Sequence, residues 1–351
     1  MTDIPKTMRA VVLLGHGGPE MLEYRTDQPV PHPGKGEVLV RVAAAAVNNT
    51  DINTRIGWYS KRDGTGEGGS WTGEAIRFPR IQGIDVCGTI VAVGESVDRK
   101  RIGERVLIEP CLREAGGLVL DEPWFLGSEC DGGFAEFTTV AARHAYVVNS
   151  PLSGSELASL PCAYSTAENM LTRTNVGPSD KVLVTGASGG VGSAAIQLAR
   201  ARGATVVAVT SPSKAVALKE IGADKSIFKD QDYVEYLGKN SMDVVVDLVG
   251  GPHWSRLLDV MRPGGRYAVS GAIGGPTVEL DLRTLYLKDL SFFGCTILEP
   301  NVFGNLVSLI EAGRIKPLVA EAYGLSQIAD AQASFERKLH IGKIVLEVND
   351  H

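Results

Sequence analysis

The stretch 181–203, KVLVTGASGGVGSAAIQLARARG, constrains this chain more than any other. A β-branched run, Val182-Leu183-Val184, stops at Gly186, glycines recur at Gly189, Gly190 and Gly192, and an apolar helical pattern follows. A strand feeding a glycine turn that opens a helix is what a dinucleotide pyrophosphate needs. Glycine lets the backbone turn tightly and approach the phosphates, while the helix N-terminus offers free N–H groups and a partial positive charge. Glycine turns alone are common. Here the required context stands on both sides: Ala194, Ala195 and Ala199 make a helix that can lie close to a sheet, and a second hydrophobic strand, 205–209, begins after Gly203. The expected pyrophosphate contacts are Gly186, Ser188, Gly189, Gly190, Val191 and Gly192.

The cofactor's phosphate pattern is addressed by the next strand end. A side chain binding the ribose 2′-OH would be an acid about 20 residues past the first glycine. That place reads Val209-Thr210-Ser211-Pro212-Ser213-Lys214. No carboxylate is there to repel a 2′-phosphate, and hydroxyls and an ammonium are placed to accept one, so NADP(H) is expected over NAD(H).

With 351 residues the chain exceeds one ordinary core and fits two domains. Its net charge of −6 gives no basic excess for neutralising phosphates, so nucleic acid is not expected as the main partner. No apolar run approaches the roughly 18 residues that span a bilayer. The start, MTDIPKTMRA, has no apolar signal core, so a cytoplasmic protein is expected, with no membrane partner. Cys87, Cys111, Cys130, Cys162 and Cys295 form no close pair, which suits reduced thiols.

The first 150 residues carry short apolar runs at 8–14, 38–47, 88–93, 106–108, 134–140 and 145–148, broken by Gly and Pro. That pattern predicts an all-β, barrel-like domain. Segment 60–80, rich in Gly and charge and carrying Trp71 and Phe78, reads as a long loop. From 151 onward strands (182–185, 206–210, 243–249, 265–270, 290–298) alternate with helices (192–202, 213–221, 252–261). Such alternation predicts an α/β, doubly wound parallel sheet with helices on both faces. The tail, 302–348, holds two helices, the first ending at Gly313 with Pro317 beyond, and a last strand at 343–348. The expected division is 1–150, 151–298 and 299–351.

Several further pieces carry a resemblance. They are Gly83-x-Asp85-x-x-Gly88-x-Ile90-Val91-x-Val93-Gly94, Gly103-x-Arg105-Val106, Gly132-Gly133-Phe134-Ala135-Glu136-Phe137, the glycine turn, Ala312-Gly313-x-Ile315-x-Pro317 and Gly342-Lys343-Ile344-Val345-Leu346. Over nearly its whole length the chain resembles the medium-chain dehydrogenase/reductase superfamily. The resemblance implies a GroES-like β-barrel catalytic domain, completed by the C-terminal tail. A Rossmann dinucleotide-binding domain is inserted, and the active site lies in the cleft between the two.

The zinc branch of that superfamily places a Cys two residues before a Ser/Thr-Asp pair, where this chain has Asn48-Asn49-Thr50-Asp51. It places His in a Gly-His-Glu triplet, where this chain has Gly83-Ile84-Asp85, and only Cys162 matches the third ligand. Catalytic zinc needs three protein ligands plus an open position. Between Pro110 and Glu136 there are two cysteines, Cys111 and Cys130, where a structural zinc needs four. Neither metal is expected, and Cys162 reads as a small buried residue.

What remains resembles the zinc-free quinone oxidoreductase and enoyl reductase branch. Asp51-Ile52-Asn53-x-x-x-Gly57-x-Tyr59 is similar to the segment that carries an active-site tyrosine in enoyl-thioester reductases, which makes Tyr59 the candidate acid. Asn48 is expected as a neutral donor to a carbonyl or to the nicotinamide ribose, and Asp51 as a holder of the loop. Strand ends Val249-Gly250 and Gly271-Ala272-Ile273 are expected beside the nicotinamide and its ribose. Lys343 matches a position that often lies beside the cofactor.

The expected function is therefore an NADPH-dependent, metal-independent oxidoreductase passing hydride to a quinone or an α,β-unsaturated carbonyl. Conjugation already spreads the developing charge of such acceptors, whereas a plain ketone needs stronger stabilisation. The alternatives are an alcohol or carbonyl dehydrogenase of the same superfamily, and a non-catalytic, crystallin-like NADPH-binding protein. A homodimer through the sheet edge at 290–298 is expected, because that edge would otherwise stay bare. The 60–80 insertion, rooted beside Tyr59, is expected to roof the substrate pocket.

Overall fold

A computed structural model of the chain describes residues 4–59 and 75–348. They divide into two compact units, one made of the residues up to Cys162 with those from Pro317 onward, the other of Ala163–Lys316. The boundaries differ from the sequence expectation at both ends. Residues 151–162 go with the β-rich unit. Residues 299–316 go with the parallel-sheet unit, because helix Val302–Glu311 buries Val302, Phe303, Leu306, Val307 and Ile310 there.

The Ala163–Lys316 unit is built on a six-stranded parallel sheet. Across it run Lys225–Phe228, Thr205–Thr210, Lys181–Val184, Met242–Asp247, Met261–Val269 and Ser291–Gly294. Central strands of an all-parallel sheet are covered on both faces and read as continuous apolar runs. Val182, Leu183 and Val184, and Val244, Val245 and Val246, are all fully buried. The expected strand at 265–270 starts earlier, at Met261, so the helix expected at 252–261 is shortened to Ser255–Val260. Strand Lys225–Phe228 had no sequence expectation, since Ile227 is its one fully buried apolar residue.

The β-rich unit holds a seven-stranded sheet centred on Glu37–Ala46. The tail returns as strand Lys343–Glu347 and pairs antiparallel with that centre, Val345 opposite Ala46 and Leu346 opposite Ala45. A three-stranded sheet joins Leu22–Pro29, Thr7–Leu13 and Arg80–Ile81. Between Pro110 and Glu136 stands a hairpin, Cys111–Ala115 with Leu118–Phe125, turned by Gly116 and Gly117 at φ +59° and +73°. Two consecutive left-handed residues make the turn whose twist matches a two-residue hairpin. No helix among the described residues is long and apolar enough to cross a membrane.

Candidate functional site

In the parallel-sheet unit the strand order reverses between Lys181–Val184 and Met242–Asp247, and ligands of such sheets bind outside the carboxyl ends of the strands at that point. The glycine turn lies there. Gly186 has φ +56°, which a side chain would strain. Helix Gly190–Ala201 starts at Gly189 with no side-chain cap, so its first N–H groups face outward for an anion. A Cβ on Gly192 would fall 2.3 Å from the Gly186 carbonyl oxygen and 2.6 Å from Ala187 Cα, so turn and helix close on each other only with glycine there.

At the end of the second strand, Thr210 Oγ1 is buried with no hydrogen-bond partner among the described residues. The Ser211 and Ser213 hydroxyls lie 3.2 Å apart, and Lys214 Nζ reaches back to Ser188 Oγ at 3.4 Å. Burial lowers the Lys214 ammonium's pKa, a cost that an arriving anion would relieve. An orphaned hydroxyl, two neighbouring hydroxyls and a half-buried ammonium fit a phosphate-bearing ligand. Ser188 and Lys214 are thus brought together, a pairing the sequence did not disclose.

The other predicted contacts sit on two turns laced to one another. Gly274 N donates to the Val249 carbonyl at 2.7 Å and Gly251 N to that of Gly275 at 3.1 Å. A Cβ on Gly271 would stand 2.9 Å from the Leu248 carbonyl oxygen. Val249, Gly250, Gly271 and Ala272 are half-buried, while Ile273 is exposed. All five lie at carboxyl ends of the fourth and fifth strands.

The β-rich unit holds a second cluster. Helix Asn49–Arg55 begins at Asn48, whose N–H donates to Asp51 Oδ2 at 2.7 Å, so Asp51 holds the loop as its position suggested. Asn48 Nδ2 donates to the Ala46 carbonyl at 3.1 Å and to Asp85 Oδ2 at 2.8 Å, while Asn48 Oδ1 accepts from the Lys343 ammonium. That ammonium also pairs with Asp85 Oδ2 at 2.8 Å. The ammonium on one side and the carboxylate on the other fix which way the Asn48 amide points. Both its hydrogens are spent inside the unit. This corrects the donor role expected of Asn48: the residue joins Lys343 to Asp85. Lys343 is 2% exposed, not a surface lysine, and its charge is committed within the unit.

Asp85, with no exposed surface, also accepts from Cys162 N at 2.6 Å. It thereby gathers Asn48, Cys162 and the returning tail. Cys162 itself is half-buried rather than buried. Sequence reading missed the Asp85–Lys343 pair, though a signal existed. Each charge adjoins an apolar strand run, Val86-Cys87 and Ile344-Val345-Leu346, where an unpartnered charge would be costly. Tyr59 is half-buried and accepts from Asn53 Nδ2 at 3.4 Å. It lies beyond the C-terminal end of the helix that Asn48 opens, and a seven-residue helix is about 10 Å long. Of the loop expected at 60–80, residues 60–74 lie outside the described residues.

Burial pushes the Asp51 carboxyl up to about 7, opposed by the Asn48 N–H and the Lys343 ammonium and reinforced by Asp85. A carboxyl that keeps its proton when folded and loses it when unfolded makes stability fall as pH rises, here between about 4 and about 7. Measured by denaturation against Asp51→Asn, the wild type should lose ground across that window and run parallel above it. Parallel curves from acid to neutral pH would contradict the assignment.

Two family matches cover the two kinds of fold. The alcohol dehydrogenase GroES-like domain matches residues 34–151, and the zinc-binding dehydrogenase family matches residues 190–312. The quinone oxidoreductase of Homo sapiens is 29% identical over 358 residues, covering 97% of this chain and 98% of its own. Acryloyl-coenzyme A reductase of Metallosphaera sedula is 31% identical over 350 residues, covering 97% and 99%. A solved structure from Sinorhizobium meliloti 1021, provisionally named an alcohol dehydrogenase, is 46% identical over 99% of both chains with a TM-score of 0.93.

The zinc in one family's name can be tested against the donors present. At the three ligand positions stand Asn48, whose amide oxygen already faces an ammonium, the hydrocarbon Ile84, and Cys162. Among the described residues no three His, Cys, Asp or Glu side chains cluster as a metal would require. In the hairpin region burial pushes the Cys130 thiol up to about 12, away from the thiolate that zinc takes. The donor set does not fit catalytic zinc. The GroES-like and dinucleotide folds and the full-length relatives together place this chain in the medium-chain dehydrogenase/reductase superfamily, among its oxidoreductases.

Proposed function

We propose that the chain is an NADPH-dependent, metal-independent reductase that passes hydride to a quinone or an α,β-unsaturated carbonyl. The observation that carries the reading is the Asp85–Lys343–Asn48 cluster: it ties up Asn48, which stands at one of the superfamily's three metal-ligand positions, while Ile84 at another has no donor, so no ligand set remains. Without a Lewis acid, the acceptors within reach are those whose conjugation already spreads charge. The names of the human and Metallosphaera relatives, a quinone reductase and an enoyl-thioester reductase, point to the same class.

NADPH would supply the hydride. Gly186, Ser188, Gly189, Gly190, Val191 and Gly192 would hold its pyrophosphate, Thr210, Ser211, Ser213 and Lys214 its 2′-phosphate, and Val249, Gly250, Gly271, Ala272 and Ile273 its nicotinamide end. Tyr59 would donate the proton. Lys343 would serve by holding Asn48 and Asp85, with no direct bond to the cofactor required of it.

Absorbance of NADPH followed with a quinone, an enone and a simple ketone tests the reading. The first two should be consumed and the ketone left; turnover of the ketone alone would point to an alcohol dehydrogenase. Tight binding without turnover would leave a cofactor-binding protein. Replacing Lys214 by alanine should weaken NADPH binding by about ten- to hundred-fold, the worth of a charged hydrogen bond, and leave NADH unchanged. Equal loss of both would refute the 2′-phosphate assignment.

A homodimer through the sheet edge belongs to the same proposal. Strand Ser291–Gly294 is the sheet's last, and Leu282, Tyr286, Leu287, Phe292 and Ile297 are exposed apolar residues on or near it. Light scattering should read twice the chain mass; a monomer would reject the interface.

A further inference from the structure

At the strand-order reversal, where the two central strands end, lies a fully buried carboxyl group, that of Asp247. Thr185, just past the first strand of the unit, donates through Oγ1 to Asp247 Oδ1 at 2.5 Å, and Asp247 ends the neighbouring strand. Oδ1 also accepts from Val249 N at 3.0 Å, Gly250 N lies 3.3 Å from both oxygens, and Tyr267 OH donates to Oδ2 at 2.6 Å.

Each hydroxyl's direction is fixed from behind. Leu248 N donates to Thr185 Oγ1 at 2.9 Å, and Trp254 Nε1 donates to Tyr267 OH at 2.8 Å, so both hydroxyl hydrogens point at Asp247. Burial, and then the Asp247 charge, raise the Tyr267 pKa and keep it a donor. Every bond to Asp247 therefore delivers a hydrogen, the pattern of an ionised carboxylate. It has no exposed surface, and among the described residues no Lys or Arg pairs with it.

Burying an uncompensated charge is costly, and neutral hydrogen bonds alone would hold the turn as well. The charge has a use at this place. A nicotinamide ring is neutral when reduced and carries a positive charge once its hydrogen and electron pair have passed to an acceptor carbon. An anion at the strand ends favours the second state. We propose that Asp247 biases this site electrostatically toward the oxidised, cationic nicotinamide, and so toward hydride donation, while positioning the turn Val249-Gly250. The inference rests on the nicotinamide reading above.

The test is binding, not turnover. Affinities of the purified protein for oxidised and reduced NADP and NAD would be measured by calorimetry in the wild type, Asp247→Asn and Tyr267→Phe. Asp247→Asn should weaken oxidised-cofactor binding about ten-fold more than reduced, as expected for a unit charge removed from a low-dielectric site. Tyr267→Phe, which keeps the charge and breaks the same network, should leave the ratio of the two affinities unchanged. If Asp247→Asn does not fold, Asp247→Ser, with room for a water on the orphaned donors, should show the same change of ratio. An unchanged ratio in the charge-removing variant, or an equal change in Tyr267→Phe, overturns the proposal. Failure of the wild type to bind any of the four sinks the cofactor reading and this inference together.

Discussion

Gly192→Ala is expected to lower dinucleotide affinity about a hundred-fold, more than any other single substitution in the glycine turn. The methyl group would stand 2.3 Å from the Gly186 carbonyl oxygen and 2.6 Å from Ala187 Cα. Both obstacles are backbone, so no rotamer can move aside, and helix and turn must separate by a sizeable fraction of an ångström. Overpacking of this kind costs about 1–3 kcal/mol in stability. Its effect on binding is larger, because misplacing the N–H groups that meet the phosphates by about 1 Å can cost roughly a hundred-fold. Gly189→Ala is the control. Its nearest neighbour would be 3.5 Å away and its φ is −74°, so it should fold and bind with a small loss. Equal affinities in the two variants by fluorescence titration would show that the close approach at Gly192 does not shape the site.

The largest loss of stability is expected from Lys343→Met. Asp85 would keep its charge with no exposed surface and lose its only ammonium partner among the described residues, and Asn48 Oδ1 would lose its donor. Breaking a buried ion pair from one side costs about 3–5 kcal/mol, whereas replacing both partners by apolar groups is often neutral. Denaturant midpoints should therefore fall steeply for Lys343→Met and recover in part for the double variant Lys343→Met with Asp85→Leu, which removes the stranded charge but leaves Asn48 Nδ2 and Cys162 N without their acceptor. A single variant as stable as the wild type would mean that the pair is open to water.

The parallel-sheet unit was largely legible because each of its signals is local. The run Val182-Leu183-Val184, Gly186 and the small-residue helix after it are neighbours in sequence, and hydrophobic continuity marks the central strands. What escaped was set by distant partners. Lys343 and Asn48 are 295 residues apart, and nothing in either flank reveals that one fixes the amide of the other. Asp247 sits at the end of a valine run, yet its significance depends on Thr185, Tyr267 and Trp254 arriving from other strands and loops. The edge strand Lys225–Phe228 was missed for a related reason: one buried residue in four gives no period to read. The shift of residues 299–316 between units reflects packing of helix Val302–Glu311, which apolar content alone does not direct to one partner.

Elemental analysis of the purified protein, paired with NADPH oxidation by a quinone before and after chelator treatment, bears most directly on all of this. Far less than one zinc per chain, with a rate that the chelator leaves untouched, is the predicted outcome. A stoichiometric zinc whose removal abolishes the rate would contradict it.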